Sequence, residues 1–295
     1  MRVLVSGSRG LIGSAVIPAL ESAGHSVTRL VRGKAGPNEI SWDPGGRLDP
    51  AAVTGFDAVV HLAGESIAGR WTDAKKQRIG DSRIQGTRTL VNALTLSPKR
   101  PGVLVSASAV GYYGDRGDEL LTEQSAPGSD FLASVCQQWE HAVEEAASAG
   151  MRTVELRIGF VLSRHGGGLA QMLPPFRMGV AGRMGSGQQY SPWVSIADVV
   201  GAILHALTNE SMRGPYNVVA PQAVTNAEFT KTLGQVLHRP TIFPMPAFVV
   251  RAVFGEMGTA LLLASQRVSP GKLEATGYRF RHPALRPALE DLLNA

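Results

Sequence analysis

The sequence has few cysteines and no long uninterrupted apolar run. Its single cysteine, Cys136, excludes an internal disulfide framework and suits a reducing compartment. The first six residues, MRVLVS, already have a strand-like pattern and leave no room for a leader peptide, so we expect a cytoplasmic protein. The most apolar late stretch, residues 247–264, is interrupted by Arg251 and Glu256. This pattern predicts a packed helix pair rather than a membrane span.

The sequence also lacks the residue clusters of nucleic-acid-binding proteins and metalloproteins. Its net charge is +5 and its pI is about 9.6, but the basic residues are scattered and no helix-turn-helix or zinc spacing occurs. The seven histidines are dispersed, and His61, inside an apolar run, is expected to be a hydrogen-bonded core residue. We therefore expect no nucleic acid, no membrane and no metal, and a surface that favours anionic small molecules.

The N-terminal half alternates between strand-like and helix-like patterns. Strands are predicted at residues 3–6, 26–31, 57–62, 103–106 and 153–158, and helices at 11–23, 73–94 and 131–149. Strands that alternate with helices form parallel sheets, and right-handed crossovers then generate a doubly wound arrangement. The predicted fold class is therefore α/β, a doubly wound parallel Rossmann sheet with a smaller C-terminal substrate lobe.

The amino-acid composition of the sequence changes after Arg164. Gly and Pro become dense up to residue 190, which predicts a long functional loop region. Residues 193–208 return to a strand followed by a helix, and helical patterns continue from Thr225. We expect a dinucleotide-binding domain at 1–165, completed by about 191–224, and a substrate lobe formed by 166–190 and 225–295.

A glycine-rich turn carries the first functional signal. Gly7, Gly10 and Gly13 follow the first strand and open the first helix. In such a turn the first glycine permits the tight bend, the second lets backbone amides approach a pyrophosphate, and the third allows close helix packing. The helix N-terminus adds free N–H groups and a partial positive charge. The pattern predicts a dinucleotide site.

The end of the second strand indicates which dinucleotide is bound. A carboxylate there would accept hydrogen bonds from the adenosine ribose, as in NAD-binding sites. This sequence has Val31-Arg32 instead, and Arg9 lies inside the glycine turn. A guanidinium binds a 2′-phosphate with two hydrogen bonds, whereas a carboxylate would repel it. The predicted cofactor is NADP(H).

Several longer motifs resemble a known superfamily. GSRGLIG, DAVVHLAGE, VSASAVGYYG and WVSIADVV are similar to landmarks of extended short-chain dehydrogenases/reductases, in the nucleotide-sugar epimerase and dehydratase branch. HLAGESIAGRW, FLASVCQQWE, RIGFVLSRHGGGL, SGQQYSPWVSIAD and the C-terminal LLLASQRVSPGKLEATGYRF resemble an atypical subgroup, the uncharacterised "epimerase family proteins", some of which carry a cell-division-inhibitor label. The resemblance covers essentially the whole chain.

The resemblance implies a set of cofactor and catalytic residues. Ser108 falls at the position of the catalytic Ser, and Arg83 stands where a guanidinium could lie beneath the cofactor. The predicted cofactor-binding residues are Gly7, Ser8, Arg9, Gly10, Leu11, Ile12, Gly13, Val31, Arg32, Leu62, Ala63, Gly64, Glu65, Arg83, Ser106, Ala107, Gly159, Phe160 and Val161.

The acid/base pair of the superfamily has no counterpart in this sequence. The Tyr-x-x-x-Lys pattern does not occur, and matching Glu140 to the acidic residue after that pair puts Leu132 and Cys136 at its positions. An unassisted Tyr has a pKa of about 10, so bringing it to neutrality takes about 4 kcal/mol of differential stabilisation. The nearest phenols are Tyr112 and Tyr113, and we take Ser108 and Tyr113 as the catalytic candidates.

Two functional hypotheses remain open from the sequence. The first is an NADP-dependent oxidoreductase of epimerase-like fold, with an unidentified small-molecule substrate and a proton relay that differs from the superfamily's. The loop at 179–189, with Arg183, would shape its pocket. The second is a non-catalytic NADP(H)-binding protein whose partner surface responds to the state of the cofactor. Either form is expected to be a monomer or a homodimer.

Overall fold

A computed structural model describes residues 1–294 as an α/β fold around one seven-stranded sheet. In chain order the strands are β1 Arg2–Ser6, β2 Ser26–Val31, β3 Glu39–Ser41, β4 Ala58–His61, β5 Val103–Ala109, β6 Leu120–Leu121, β7 Arg152–Ile158, β8 Phe160–Leu162, β9 Tyr190–Ser191, β10 Trp193–Ser195, β11 Gly214–Val218, β12 Val224–Thr225 and β13 Arg267–Val268. The helices are α1 Leu11–Ser22, α2 Asp73–Leu96, α3 Phe131–His141, α4 Glu144–Ser148, α5 Gly167–Arg177, α6 Ile196–Thr208, α7 Asn226–Val236, α8 Ala247–Gly258, α9 Gly271–Ala275 and α10 Leu285–Asn294.

The main sheet is parallel throughout and confirms the predicted doubly wound fold. Its strand order is β11-β7-β5-β4-β1-β2-β3. Successive strands are therefore added on one side of β1 up to β3 and on the other side from β4 onwards, which makes the point between β1 and β4 a topological switch point. In open α/β sheets, ligands bind outside the carboxyl ends of the strands at such a switch point. The loops that follow β1, β4 and β5 are therefore the expected ligand-binding region of this fold.

Helices cover both faces of the sheet. On one face, Val16 of α1 and Ile203 of α6 are buried with Val3 and Val105. On the other face, Leu90 of α2 is buried in a second cluster with Leu4 and Leu104. Burial on both sides explains why the central strands are almost continuously apolar.

Capping residues fix where the helices that border the switch point begin. Thr72 accepts a hydrogen bond from the Lys75 amide at the start of α2, and Asp130 does the same for the Ala133 amide in α3. By contrast, α1 begins after Gly10 without any side-chain cap. Its first-turn N–H groups therefore have no side-chain acceptor of their own.

The C-terminal part forms a lobe with its own hydrophobic cluster. Leu169 of α5, Phe229 of α7 and Leu289 of α10 are buried together there. The segment between α8 and α9 lies against the loop that follows β5, where Gln266 Nε2 donates to the carbonyl oxygens of Val110 and Gly114. The lobe is therefore attached to the loop that follows β5.

Several local expectations were wrong. The predicted loop region at 166–190 contains α5, because Leu169, Leu173 and Phe176 recur at helical spacing and are buried in the lobe. The predicted helix at 131–149 is split at residues 142–143, where the Val143 amide bonds to the Glu140 carbonyl and tightens the turn.

The predicted helix pair at 247–264 is present as two helical segments that meet at Gly255, but its packing is looser than expected. Gly255 interrupts α8 with φ of +60°, and Thr259–Leu263 forms a π-helical turn. Phe248 and Val253 remain 71% and 63% exposed, so this segment is poorly packed. No helix among residues 1–294 is both long and apolar enough to cross a membrane.

Candidate functional site

The glycine turn lies at the carboxyl end of β1, against the loop that follows β4. Gly7 adopts φ of +69°, and a Cβ at Gly7 would stand 2.5 Å from the Leu62 carbonyl carbon. A Cβ at Gly13 would stand 2.2 Å from the Gly7 carbonyl oxygen. Both positions therefore require glycine, one for its backbone and its space and the other for its space alone.

This turn fits a dinucleotide pyrophosphate. The uncapped N-terminus of α1 presents the backbone amides of its first turn and a partial positive charge. Gly166 and Gly167 lie against the Leu11 side chain, since a Cβ at either would be 3.2 or 2.9 Å from it. The HGGG stretch of the lobe therefore approaches the turn from the opposite side.

Ser6 holds the two loops together, a role that the sequence did not reveal. Its hydroxyl oxygen accepts hydrogen bonds from the amides of Leu62 and Ala63, at 3.2 and 3.3 Å, and lies 2.6 Å from His61 Nδ1. His61 Nε2 lies 2.9 Å from the Thr87 hydroxyl. Burial lowers the pKa of His61 to about 4, so the ring is neutral. The prediction of a satisfied core histidine is confirmed.

Positive charges surround the end of β2. Arg32 follows the buried Val31 and is exposed, and Arg9 is 79% exposed with a guanidinium nitrogen 3.7 Å from Glu39. Glu65, one of the predicted cofactor residues, forms an ion pair with Lys75, with 2.8 Å between Oε1 and Nζ. Its pKa is lowered by the hydrogen bond from Lys75, with smaller contributions that include Arg32.

Arg83 of α2 lies beneath the loop that follows β4. Its Nη1 donates to the carbonyl oxygens of Glu65 and Ile79, at 3.0 and 3.1 Å, and its guanidinium carbon is 5.2 Å from the centre of the Trp139 ring. A Cβ at Gly64 would be 3.1 Å from that carbon. The guanidinium is therefore held between Gly64 and Trp139.

The side chains at the two matched helix positions face the end of β5. A Cβ at Gly111 would be 3.3 Å from the Cβ of Leu132 and 3.8 Å from Cys136 Sγ. Leu132 is half-buried and Cys136 is buried. Burial, helped by the negative charge of Glu140, raises the pKa of Cys136 to about 12. The thiol is therefore neutral and unreactive at neutral pH.

Both catalytic candidates lie deeper than this point. The Ser108 hydroxyl donates to Glu140 at 2.6 Å, and Ser108 is only 3% exposed. Tyr113 is fully buried, donates to Asn217 at 2.7 Å and accepts from Arg157 at 3.0 Å. Both hydroxyls are therefore bonded inside the protein, and their contact with a substrate stays a prediction.

The remaining predicted residues divide into two groups. Ser106 is fully buried between β4 and β7, and its hydroxyl donates to the Ala107 carbonyl. Its contact with the cofactor stays a prediction. Gly159 and Phe160 lie beside Pro192, with the Phe160 amide 2.6 Å from its carbonyl oxygen. The Phe160 side chain also packs against the hydrophobic cluster of the lobe, so this stretch connects the sheet to the lobe. Within residues 1–294, no cluster of His, Cys, Asp or Glu is arranged to hold a metal ion.

A doubly wound sheet with a glycine turn at its first helix defines the class of Rossmann nucleotide-binding proteins. Residues 3–219 match the model of the NAD dependent epimerase/dehydratase family, and residues 245–292 match a domain of unknown function, DUF1731. The chain belongs to the NAD dependent epimerase/dehydratase family.

Known proteins resemble the whole chain. The human epimerase family protein SDR39U1 is 40% identical over 297 residues, covering 99% of this chain and 100% of that protein. The epimerase family protein Mb2239 of Mycobacterium bovis is 44% identical over 290 residues, covering 97% and 96%. A crystal structure of human SDR39U1 with NADPH superposes with a TM-score of 0.93 at 38% identity, covering 100% of this chain and 99% of that one.

Proposed function

We propose that this protein binds NADP(H) and uses it as an oxidoreductase of atypical active site, acting on a small molecule. The observation that carries the proposal is the glycine turn, in which Gly7 and Gly13 allow a close backbone approach that a Cβ would prevent, and α1 starts without a side-chain cap. The human relative crystallised with NADPH supports the choice of dinucleotide. The single buried cysteine supports a cytoplasmic location.

The preference for NADP(H) over NAD(H) is supported by the charges near β2. Arg9 and Arg32 are exposed beside the end of that strand and are free to reorient towards a 2′-phosphate. The nearest carboxylates, Glu39 and Glu65, each have a cationic neighbour. The net local charge therefore favours a phosphorylated ribose.

The nicotinamide would supply the hydride chemistry, and the protein would bind and orient it. Leu132 and Cys136 lie where the superfamily has its acid/base pair, and neither can exchange a proton readily near neutral pH. We therefore propose hydride transfer without a Tyr–Lys relay. Epimerisation fits less well, because it needs reversible proton handling as well as hydride transfer at one carbon.

One observation favours the second candidate, a non-catalytic cofactor-binding protein. The hydroxyls of Ser108 and Tyr113, which the sequence marks as catalytic, are both satisfied by internal hydrogen bonds. A protein that senses the cofactor's redox state would need the glycine turn to bind the cofactor, but no hydroxyl free to contact a substrate. The two candidates agree on binding and differ only in turnover.

The deciding experiment measures binding first and turnover second. Nicotinamide fluorescence with NADPH and NADH gives both dissociation constants, and we expect NADPH to bind at least about tenfold more tightly. Nicotinamide absorbance is then followed with quinones, ketones and nucleotide sugars. Absence of NADPH binding would contradict the proposal. Binding without turnover of any of these acceptors would support the non-catalytic candidate.

A further inference from the structure

Arg83 is a positively charged side chain with a fixed position near Cys136. Cys136 is the thiol that stands on α3 where the superfamily has its lysine. Arg83 lies between Gly64 and Trp139, and its positive charge lowers the pKa of Cys136, against the larger raising effects of burial and of Glu140. The cation therefore comes from α2, although the superfamily places its lysine on the helix that corresponds to α3.

The hydrogen bonds of Arg83 leave donors unused. Nη1 is engaged by the carbonyl oxygens of Glu65 and Ile79. Within residues 1–294, neither Nε nor Nη2 makes a hydrogen bond, although the side chain is part-buried. A guanidinium has five N–H donors in a rigid plane, so three of them remain available to an oxygen of a ligand.

The side chains at the two matched helix positions are poor proton donors. Leu132 has no exchangeable proton, and a proton lost from Cys136 would leave a buried thiolate near Glu140. Neither matched position therefore supplies a ready proton to an oxygen held by Arg83.

Such a site discriminates between acceptors by the basicity of the oxygen they form. Reduction of a simple ketone gives an alkoxide, which is about as basic as hydroxide, the conjugate base of water with a pKa of about 15.7. Reduction of a quinone gives a phenolate-type oxygen, whose conjugate acid has a pKa of about 10. The second product needs no side-chain acid, because water protonates it after release.

We infer that Arg83 stabilises the oxyanion formed on a quinone-type acceptor, and that water supplies the proton. This inference rests on the proposed NADP(H) binding. In the balanced reaction a quinone accepts a hydride with its electron pair from NADPH and becomes a hydroquinone monoanion, leaving NADP⁺. The monoanion then takes one proton from water. Arg83 acts as a preorganised electrostatic group, the kind of contribution that dominates many active sites.

Further aromatic side chains lie about 10 Å from Arg83, at the level of Lys76 seven residues back along α2. Phe131 precedes Leu132 on α3 and packs edge-to-face on Trp71, with ring centres 5.4 Å apart. The Lys76 ammonium lies 5.4 Å from the centre of the Phe131 ring. An aromatic wall with an adjacent cation is favourable for a planar ring that gains negative charge.

The first test uses a phenolate probe and needs no turnover. The absorbance of 4-nitrophenol is titrated with pH in the complex of the protein with NADP⁺. Arg83 should lower the probe's pKa by at least about one unit, a tenfold shift in its ionisation equilibrium. We expect Arg83→Met to abolish the shift, Arg83→Lys to keep part of it, and Arg88→Met, on the exposed side of α2, to leave it intact. An equal shift in Arg83→Met, or no shift in the unmutated protein, overturns the inference.

The second test measures turnover with 9,10-phenanthrenequinone and with cyclohexanone at saturating NADPH. We expect reduction of the quinone alone, and kcat lowered about 10²–10³-fold in Arg83→Met. Equal rates with both acceptors, or NADPH binding without quinone reduction, overturns the inference and leaves the proposed binding intact. Absence of NADPH binding overturns the proposed function itself. Thermal unfolding of each variant separates loss of charge from loss of fold.

Discussion

The Arg157 guanidinium donates two hydrogen bonds to the Glu140 carboxylate, at 2.7 and 2.8 Å, and this pair connects β7 to α3. Arg157 is only 3% exposed and Glu140 is 15% exposed, so the pair is nearly out of water. Ser108 and Tyr113 are bonded to the same two side chains. The polar groups that the sequence suggests for catalysis therefore form an internal brace between β7 and α3.

Breaking this brace should be costly for folding. We expect Arg157→Met to lower the free energy of unfolding by about 3–5 kcal/mol, because it leaves a largely buried carboxylate without its partner. Urea unfolding measures the change, and a double-mutant cycle with Glu140→Gln isolates the pair. The control is Arg286→Met, whose ion pair with Glu290 is about half exposed. A loss below about 1 kcal/mol for Arg157→Met would contradict the assignment.

Cofactor selectivity should depend on the guanidinium after β2. We expect Arg32→Ala to weaken NADPH binding about ten- to a hundredfold, since a charge-assisted hydrogen bond contributes about 1.5–3 kcal/mol. NADH binding should change little, because NADH has no 2′-phosphate. Fluorescence titration measures both. Arg29→Ala, exposed on the same strand about 10 Å away, is the matched control. Equal losses for the two cofactors would show that Arg32 does not contact the 2′-phosphate.

The glycine turn should tolerate no added methyl group at its third glycine. Gly13→Ala would push a Cβ to 2.2 Å from the Gly7 carbonyl oxygen, so we expect about 1–3 kcal/mol of destabilisation and loss of NADPH binding. Gly80→Ala in α2 is the control, because its Cβ meets only the Ile84 side chain at 4.0 Å. Better helix propensity should make it about 1 kcal/mol more stable. Normal NADPH affinity in Gly13→Ala would exclude this turn as the binding site.

Two buried groups should impose opposite pH dependences on stability. Burial raises the pKa of Glu155 to about 7, so the folded state binds its proton more tightly and stability falls as the pH rises from 4.5 to 7. Burial lowers the pKa of His61 to about 4, so stability rises as the pH rises from 4 to 6.5. The two slopes should nearly cancel between pH 4.5 and 6.5.

Removing the Glu155 carboxyl should reveal the pH dependence that His61 imposes on stability. We expect Glu155→Gln to be up to about 3 kcal/mol more stable than the unmutated protein at pH 8 and equal to it near pH 4.5. Its stability should then rise steadily between pH 4 and 6.5. Urea unfolding across this range measures both effects, with the exposed Glu145→Gln as control. A pH-independent difference would contradict the raised pKa of Glu155.

Much of the fold could be read from short-range patterns. The apolar runs at β1, β2 and β7 and the periodic helix α2 were predicted to within two residues, because strand and helix periodicities differ and glycines separate them. The short edge strand β3 was missed, since three residues carry no periodicity. The helix α5 was missed because burial of Leu169 and Phe176 in the lobe overrides two prolines.

The sequence by itself determined the nucleotide cradle of this protein. A glycine turn between a strand and a helix is a local feature, and its steric requirements are written into three positions along the chain. Only the tertiary structure decided what surrounds the reactive end. The hydrogen bond of Ser108 joins residues 32 positions apart, and that of Tyr113 joins residues 104 positions apart. Arg83 acts on Cys136, 53 positions further along the chain. Burial and charge at such distances depend on packing, which no local pattern encodes.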